Sequence, residues 1–126
     1  MKYNREFLKC EACGNLVGVV ENEGVEIYCC NEPMVKLIPN TVDAATEKHL
    51  PFVQKDGSEL IVTVGEVLHP MTDAHYISWI CVARGKRTER MALDKTGDPV
   101  ATFSIGNDDA TIYAFCNLHG LWAIDI

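Results

Sequence analysis

The chain has 126 residues, a length that suits one domain or one domain with a small appendage. Hydrophobic residues make up 48% and charged residues 23%, which excludes a disordered or collagen-like chain, and no apolar run approaches the ~18 residues of a membrane span. Lys+Arg of 11 against Asp+Glu of 18 gives a formal charge of −7, which argues against nucleic acid or a membrane surface as a partner and leaves a small anionic substrate open.

The first ten residues, MKYNREFLKC, hold no apolar stretch of the secretory kind, so the cytoplasm is the expected compartment. Six cysteines in such a chain point to metal or redox chemistry before a disulfide framework. Four of them, Cys10, Cys13, Cys29 and Cys30, fall early, whereas His49, His69, His75 and His119 all fall late. Two sites follow as an expectation, one all-thiolate and one rich in imidazole.

In chain order, residues 1–37 read as a small β unit. Leu16–Val20 and Val25–Cys29 are apolar and β-branched, and Glu21-Asn22-Glu23-Gly24 between them predicts a hairpin turn. So short a segment cannot bury a self-sufficient core, so a metal, a partner chain or the rest of the protein must hold it. A linker is expected near residues 38–45, and residues 43–49 offer at most a short helical turn. Residues 38–126 then read as a run of strands: Leu60–Leu68, Tyr76–Ala83, Val100–Ile105, Ala110–Cys116 and Leu121–Ile126. Turn signals at Asp56-Gly57, Pro70–Asp73, Gly97-Asp98-Pro99, Gly106–Asp109 and His119-Gly120 separate them. Such a pattern predicts an all-β sandwich or barrel.

Cys10-x-x-Cys13 followed by Cys29-Cys30 supplies four thiolates, a tetrahedral sulfur set that selects zinc or iron. Adjacent cysteines have little freedom to aim both sulfurs at one ion, so a distorted tetrahedron is expected. Cys116-Asn117-Leu118-His119 places a thiol and an imidazole three residues apart where a strand ends in a turn, a spacing that suits one metal. If His49, His69 and His75 join them, five ligands exceed a tetrahedral zinc and suit a five- or six-coordinate iron with an open position; otherwise the histidines are scattered. Cys81, inside the apolar run Ile77–Val82, reads as an inert core thiol.

Taken together, these motifs resemble desulfoferrodoxin, the two-iron form of superoxide reductase, over essentially the whole chain. The resemblance implies a desulforedoxin-like first domain (1–37) with iron on Cys10, Cys13, Cys29 and Cys30, and a neelaredoxin-like catalytic domain (38–126) with an immunoglobulin-like β-sandwich fold. It implies a second iron on four equatorial imidazoles, His49, His69, His75 and His119, and one axial thiolate, Cys116. It also implies roles for a Glu-Lys pair: Glu47 as sixth ligand of the oxidised resting state, and Lys48 as the cation beside the open face. Further implications are superoxide as substrate, two irons per chain with neither haem nor flavin, a rubredoxin-like electron donor, and a homodimer. The rival expectation is a two-iron electron carrier without turnover.

Overall fold

The computed structural model describes residues 1–126, which divide into two compact units. The smaller is Asn4–Ile38, and the larger joins Met1–Tyr3 to Pro39–Ile126. The division therefore differs from the expected one at the N-terminus, and hydrogen bonds explain why. The Lys2 amide donates to the Asp125 carboxylate (3.0 and 3.1 Å), the Tyr3 amide donates to Thr111 Oγ1 (2.9 Å), and the Tyr113 hydroxyl donates to the Tyr3 carbonyl (3.1 Å). The expected linker is tied down as well. The Asn40 amide donates to the Leu121 carbonyl (3.0 Å), and its side-chain amide pairs with both backbone groups of Ala123 (3.0 and 2.9 Å).

In the smaller unit, β1 (Glu6–Lys9) lies between β2 (Leu16–Val19) and β5 (Val35–Lys36), antiparallel to both. The short strands β3 (Tyr28–Cys29) and β4 (Glu32–Pro33) form a separate pair. The expected hairpin across residues 21–24 does not form, because β2 takes β1 as its partner and residues 20–27 are not strand. The tight turn falls instead at Cys30-Asn31, with φ of 54° and 61°. Two left-handed residues are what a two-residue hairpin loop of the twist-matched kind requires. Phe7, Leu8 and Cys10 are the unit's buried apolar residues, too few for a core.

The larger unit is a β-sandwich. One sheet has the order β10-β7-β6: β6 is Pro51–Asp56, β7 Glu59–Val64 and β10 Val100–Ser104. The other has the order β12-β11-β8-β9: β8 is Ile77–Arg84, β9 Arg87–Ala92, β11 Thr111–Cys116 and β12 Gly120–Asp125. Alternate residues fill the space between the sheets: Leu60, Val62 and Val64 from β7, Ala101 and Phe103 from β10, Ile80 and Val82 from β8, Ile112 and Ala114 from β11. Strand β11 is buried at all six positions and forms the spine of its sheet. Strand β7 stops at Val64, short of the predicted Leu68, because residues 65–68 turn toward His69. Cys81 is buried in β8 and belongs to neither group of potential metal ligands.

The one helix, α1 (Thr46–His49), has four residues and no side-chain cap. It is too short to be stable alone. Tertiary contacts hold it: the Glu47 carbonyl accepts from the Val67 amide (3.0 Å). No helix is long and apolar enough to cross a membrane.

Candidate metal centres

Cys10, Cys13, Cys29 and Cys30 present sulfurs that all lie within 4.8 Å of one another. Cys13 and Cys29 Sγ are 3.6 Å apart. A tetrahedral ion with metal–sulfur bonds of about 2.3 Å would separate its sulfurs by about 3.8 Å, so the cage is already at metal-binding size. Local backbone geometry builds it. Gly14, at φ 83°, turns the chain after the Cys-x-x-Cys pair, and its amide donates to the Cys10 carbonyl (2.8 Å). On the other side, the left-handed Cys30 swings its sulfur off the β3 ladder, so adjacent cysteines can face one point. The Asn15 amide donates to Cys13 Sγ (3.4 Å) and its side chain to Cys29 Sγ (3.6 Å).

Crowding of the four sulfurs spreads their thiol titrations apart. The Cys13 backbone amide lowers the Cys10 pKa to about 7, whereas Cys30 is raised to about 12 by the sulfurs of Cys13, Cys10 and Cys29. Four thiolates cannot share this space without a cation to neutralise them.

The second group is His49, His69, His75, Cys116 and His119, whose ligand atoms also all lie within 4.8 Å of one another. The imidazoles form a square. Successive ring centroids, in the order His49, His69, His75, His119 and back to His49, are 4.7, 4.5, 5.0 and 4.9 Å apart, and the His49–His75 diagonal is 6.4 Å. Neighbouring rings stand nearly perpendicular, at 75° to 85°. His49 Nε2 is 3.2 Å from His69 Nε2 and 3.1 Å from His119 Nδ1. With metal–nitrogen bonds of about 2.1 Å, ligands at right angles sit about 3.0 Å apart and tetrahedral ones about 3.4 Å. The spacing therefore favours four equatorial nitrogens over a tetrahedral set.

Hydrogen bonds select the nitrogens. His49 Nδ1–H donates to the Ala45 carbonyl (2.7 Å) and His69 Nδ1–H to the Pro70 carbonyl (2.7 Å), which leaves Nε2 of each ring free for a metal. His119 turns Nδ1 inward. His75 Nε2 is buried and has no hydrogen-bond partner, an orphan that a metal ion would satisfy.

Cys116 is fully buried, with Sγ 3.4 Å from His69 Nε2 and 3.8 Å from His119 Nδ1. It closes the inner side of the square, and its sulfur accepts from the His119 amide (3.4 Å). Burial pushes the His69 imidazole down to about 4 and lowers His49 and His75, so these rings are neutral and ready to ligate at pH 7. Burial raises the Cys116 thiol, and the backbone amides of Leu118 and His119 oppose that rise. Five donors, one of them a thiolate, in a square with a closed inner side fit iron with one open position.

Glu47 and Lys48 are exposed residues of α1, immediately before His49. The Lys48 charge acts on both His49 and His75, which lie on opposite corners of the square.

Three supporting residues escaped the sequence reading. The Asn117 side chain brackets His75: Oδ1 accepts from the Tyr76 amide (2.8 Å), and Nδ2 donates to the Ala74 carbonyl (3.0 Å). Thr72 Oγ1 accepts from the His75 amide (3.0 Å). Trp122 stacks on His49 at 4.9 Å and donates Nε1–H to the His119 carbonyl (3.0 Å). The only sequence signal was an Asn between two candidate ligands in a turn.

Comparison with known proteins agrees with this geometry. The family description Desulfoferrodoxin matches residues 41–125, and Desulfoferrodoxin, N-terminal domain, matches residues 3–37. The desulfoferrodoxin of Syntrophotalea carbinolica is 42% identical over 118 residues, covering 94% of each chain. The crystal structure of the superoxide reductase from Treponema pallidum is similar with a TM-score of 0.79 and 37% identity, over 96% of this chain and 98% of that one. The one-iron superoxide reductase from Giardia intestinalis matches 64% of this chain and 98% of its own, with a TM-score of 0.56 and 29% identity.

Proposed function

The chain belongs to the desulfoferrodoxin family, and on that premise we propose which of its residues carry out superoxide reduction. It is a superoxide reductase with two irons as cofactors. The reaction is O2•− + e− + 2H+ → H2O2. The observation that carries this reading is the imidazole square, closed on one side by a buried thiol. We assign His49, His69, His75, His119 and Cys116 as ligands of the catalytic iron, and Cys10, Cys13, Cys29 and Cys30 as ligands of the other.

Iron bound in the square supplies the single electron and a Lewis-acid position for the anion. The remaining requirements fall on the chain. Its net charge of −7 repels superoxide, so a local cation must reverse the field at the site. Lys48 supplies that cation and organises water for the two protons. Neutral imidazoles add no charge of their own, which leaves the site attractive to an anion. Cys116, buried beside His69 and His119, would hold the iron from the inner side and supply electron density to it as a thiolate. Glu47, exposed on α1 two residues before His49, is the carboxylate we assign as the one that would hold the iron's remaining position.

The electron comes from outside, and a rubredoxin-like carrier is the donor we propose. The four-cysteine iron relays that electron or braces its unit. A homodimer built on the smaller unit is supported by its exposed apolar side chains, among them Val20 (96% exposed), Val25 (79%) and Tyr28 (61%). Four metal-binding thiolates need a reducing compartment, which supports the cytoplasm.

A superoxide pulse onto anaerobically reduced protein tests the function. One H2O2 per superoxide, with no O2 and one iron oxidised for each, is the expected result. Half as much H2O2 with matching O2 would mean dismutation. Superoxide decaying no faster than in buffer, with an iron that takes up neither cyanide nor azide, would leave a closed electron carrier.

A further inference from the structure

We propose that Gly65 is a positioning residue for superoxide capture: its lack of a side chain lets the loop leading to His69 press against the Glu47–Lys48 backbone and set where Lys48 stands. The proposal rests on the role assigned to Lys48 above.

A Cβ built on Gly65 would lie 2.6 Å from the Glu47 carbonyl oxygen, 2.8 Å from the Lys48 carbonyl carbon and 2.9 Å from the Leu50 carbonyl oxygen. All three atoms are backbone, so no side chain can swing aside to make room. Gly14, Gly24, Gly57, Gly85 and Gly106 differ, since an added Cβ meets nothing within 4 Å at any of them. They serve turns with positive φ, whereas Gly65 has no positive φ and its requirement is space. The contact is also bonded. The Val67 amide donates to the Glu47 carbonyl (3.0 Å), the Gly65 amide to the Val67 carbonyl (3.3 Å), and the His69 amide to the Val64 carbonyl (2.8 Å). One compact turn thus fixes α1 on one side and leads into a ligand on the other. Since α1 has four residues and no side-chain cap, little within the helix resists displacement.

Gly65→Ala needs a displacement of at least about 0.4 Å, the difference between 3.0 Å, below which real Cβ contacts essentially never fall, and the 2.6 Å found here. A 1 Å misplacement of a reacting group costs about 100-fold in rate, so a fall of about tenfold is expected.

The test is a double-mutant cycle of Gly65→Ala and Lys48→Ala. Superoxide capture is measured across ionic strength, alongside iron content and the ferric visible spectrum. We expect G65A to bind both irons, to slow capture about tenfold with a flatter salt dependence, and to shift the ferric spectrum. In a K48A background, G65A should change the rate by less than about twofold, because a residue acting through Lys48 has nothing left to position. Equal effects in both backgrounds would overturn the proposal, as would G65A with the wild-type rate and spectrum. A G65A chain that fails to fold or to take up iron would also overturn it, because Gly65 would then be a requirement of the fold. If K48A itself captures superoxide at the wild-type rate, the reading of Lys48 falls and this proposal with it.

Discussion

Lys48 shows how one side chain can oppose a whole molecule. The chain's charge of −7 slows approach of an anion, while Lys48 stands exposed on α1 immediately before His49. Replacing Lys48 by Ala should slow superoxide capture about tenfold at low ionic strength and flatten the salt dependence. Pulse kinetics at several salt concentrations check this, and an unchanged low-salt rate would remove the steering role. Cys116 sets a different dependence, on pH. Its thiol is raised above the ordinary value by burial, so the metal-free site holds a proton there at pH 7. Iron binding must expel that proton, whereas His69, at about 4, is already neutral. Iron affinity at this centre should therefore rise about tenfold per pH unit above neutral pH, and the rise should continue past the range where an ordinary thiol ionises. Chelator-buffered titrations would measure the slope, and a flat profile would show that Cys116 is ionised without iron.

Strands and loops place these residues, and some were far easier to anticipate than others. Strand β11 (TIYAFC) was legible because a central strand buried at every position reads as an unbroken apolar run. Strand β9 (RTERMA) is exposed at all six positions and carries no apolar alternation, so nothing local marked it. It is a strand because β8 offers it an edge across the Gly85-Lys86 turn, with Arg84 opposite Arg87. The hairpin expected in the first unit failed for a related reason: β2 pairs with β1, a choice of partner that local propensity does not encode. Where β11 ends, its register against β8 shifts between Phe115 and Cys116, and the Asn117 side chain continues the pairing by bracketing His75. Asn117→Ala should loosen His75 and weaken iron binding at the catalytic centre by about 10- to 100-fold. Competition with a chelator would detect the loss, and wild-type affinity would show that Thr72 alone suffices.

At the scale of the whole molecule, two metal sites sit in two units that differ in how they are held. The sandwich has a continuous core from both sheets, and burying each of its Val or Leu side chains contributes about 1.5–3 kcal/mol. The smaller unit has almost no core and depends on its thiolate cage. Cys13→Ser should therefore abolish the visible absorption of the four-cysteine iron and destabilise residues 4–38. Superoxide reduction driven by a chemical reductant should remain. Loss of that reduction would mean that the first iron is required for the chemistry or for folding of the sandwich.

The four-thiolate set was readable from the sequence because softness and charge belong to the side chain itself and Cys10-x-x-Cys13 with Cys29-Cys30 is a close cluster. The residues alone left His49, His69 and His75 open as scattered histidines, and only the family resemblance joined them to Cys116 and His119. An all-β architecture was readable for the same local reason, since β-branched runs and turn residues act over a few positions. Tertiary structure alone decided that the four imidazoles form a square, which nitrogen each ring turns inward, that Asn117 brackets His75, and that the Gly65 backbone lies against Glu47 and Lys48. Those features depend on which carbonyl lies beside which ring and how closely two backbones approach. Strand pairing and burial between residues far apart in sequence determine both, and neither leaves a local trace.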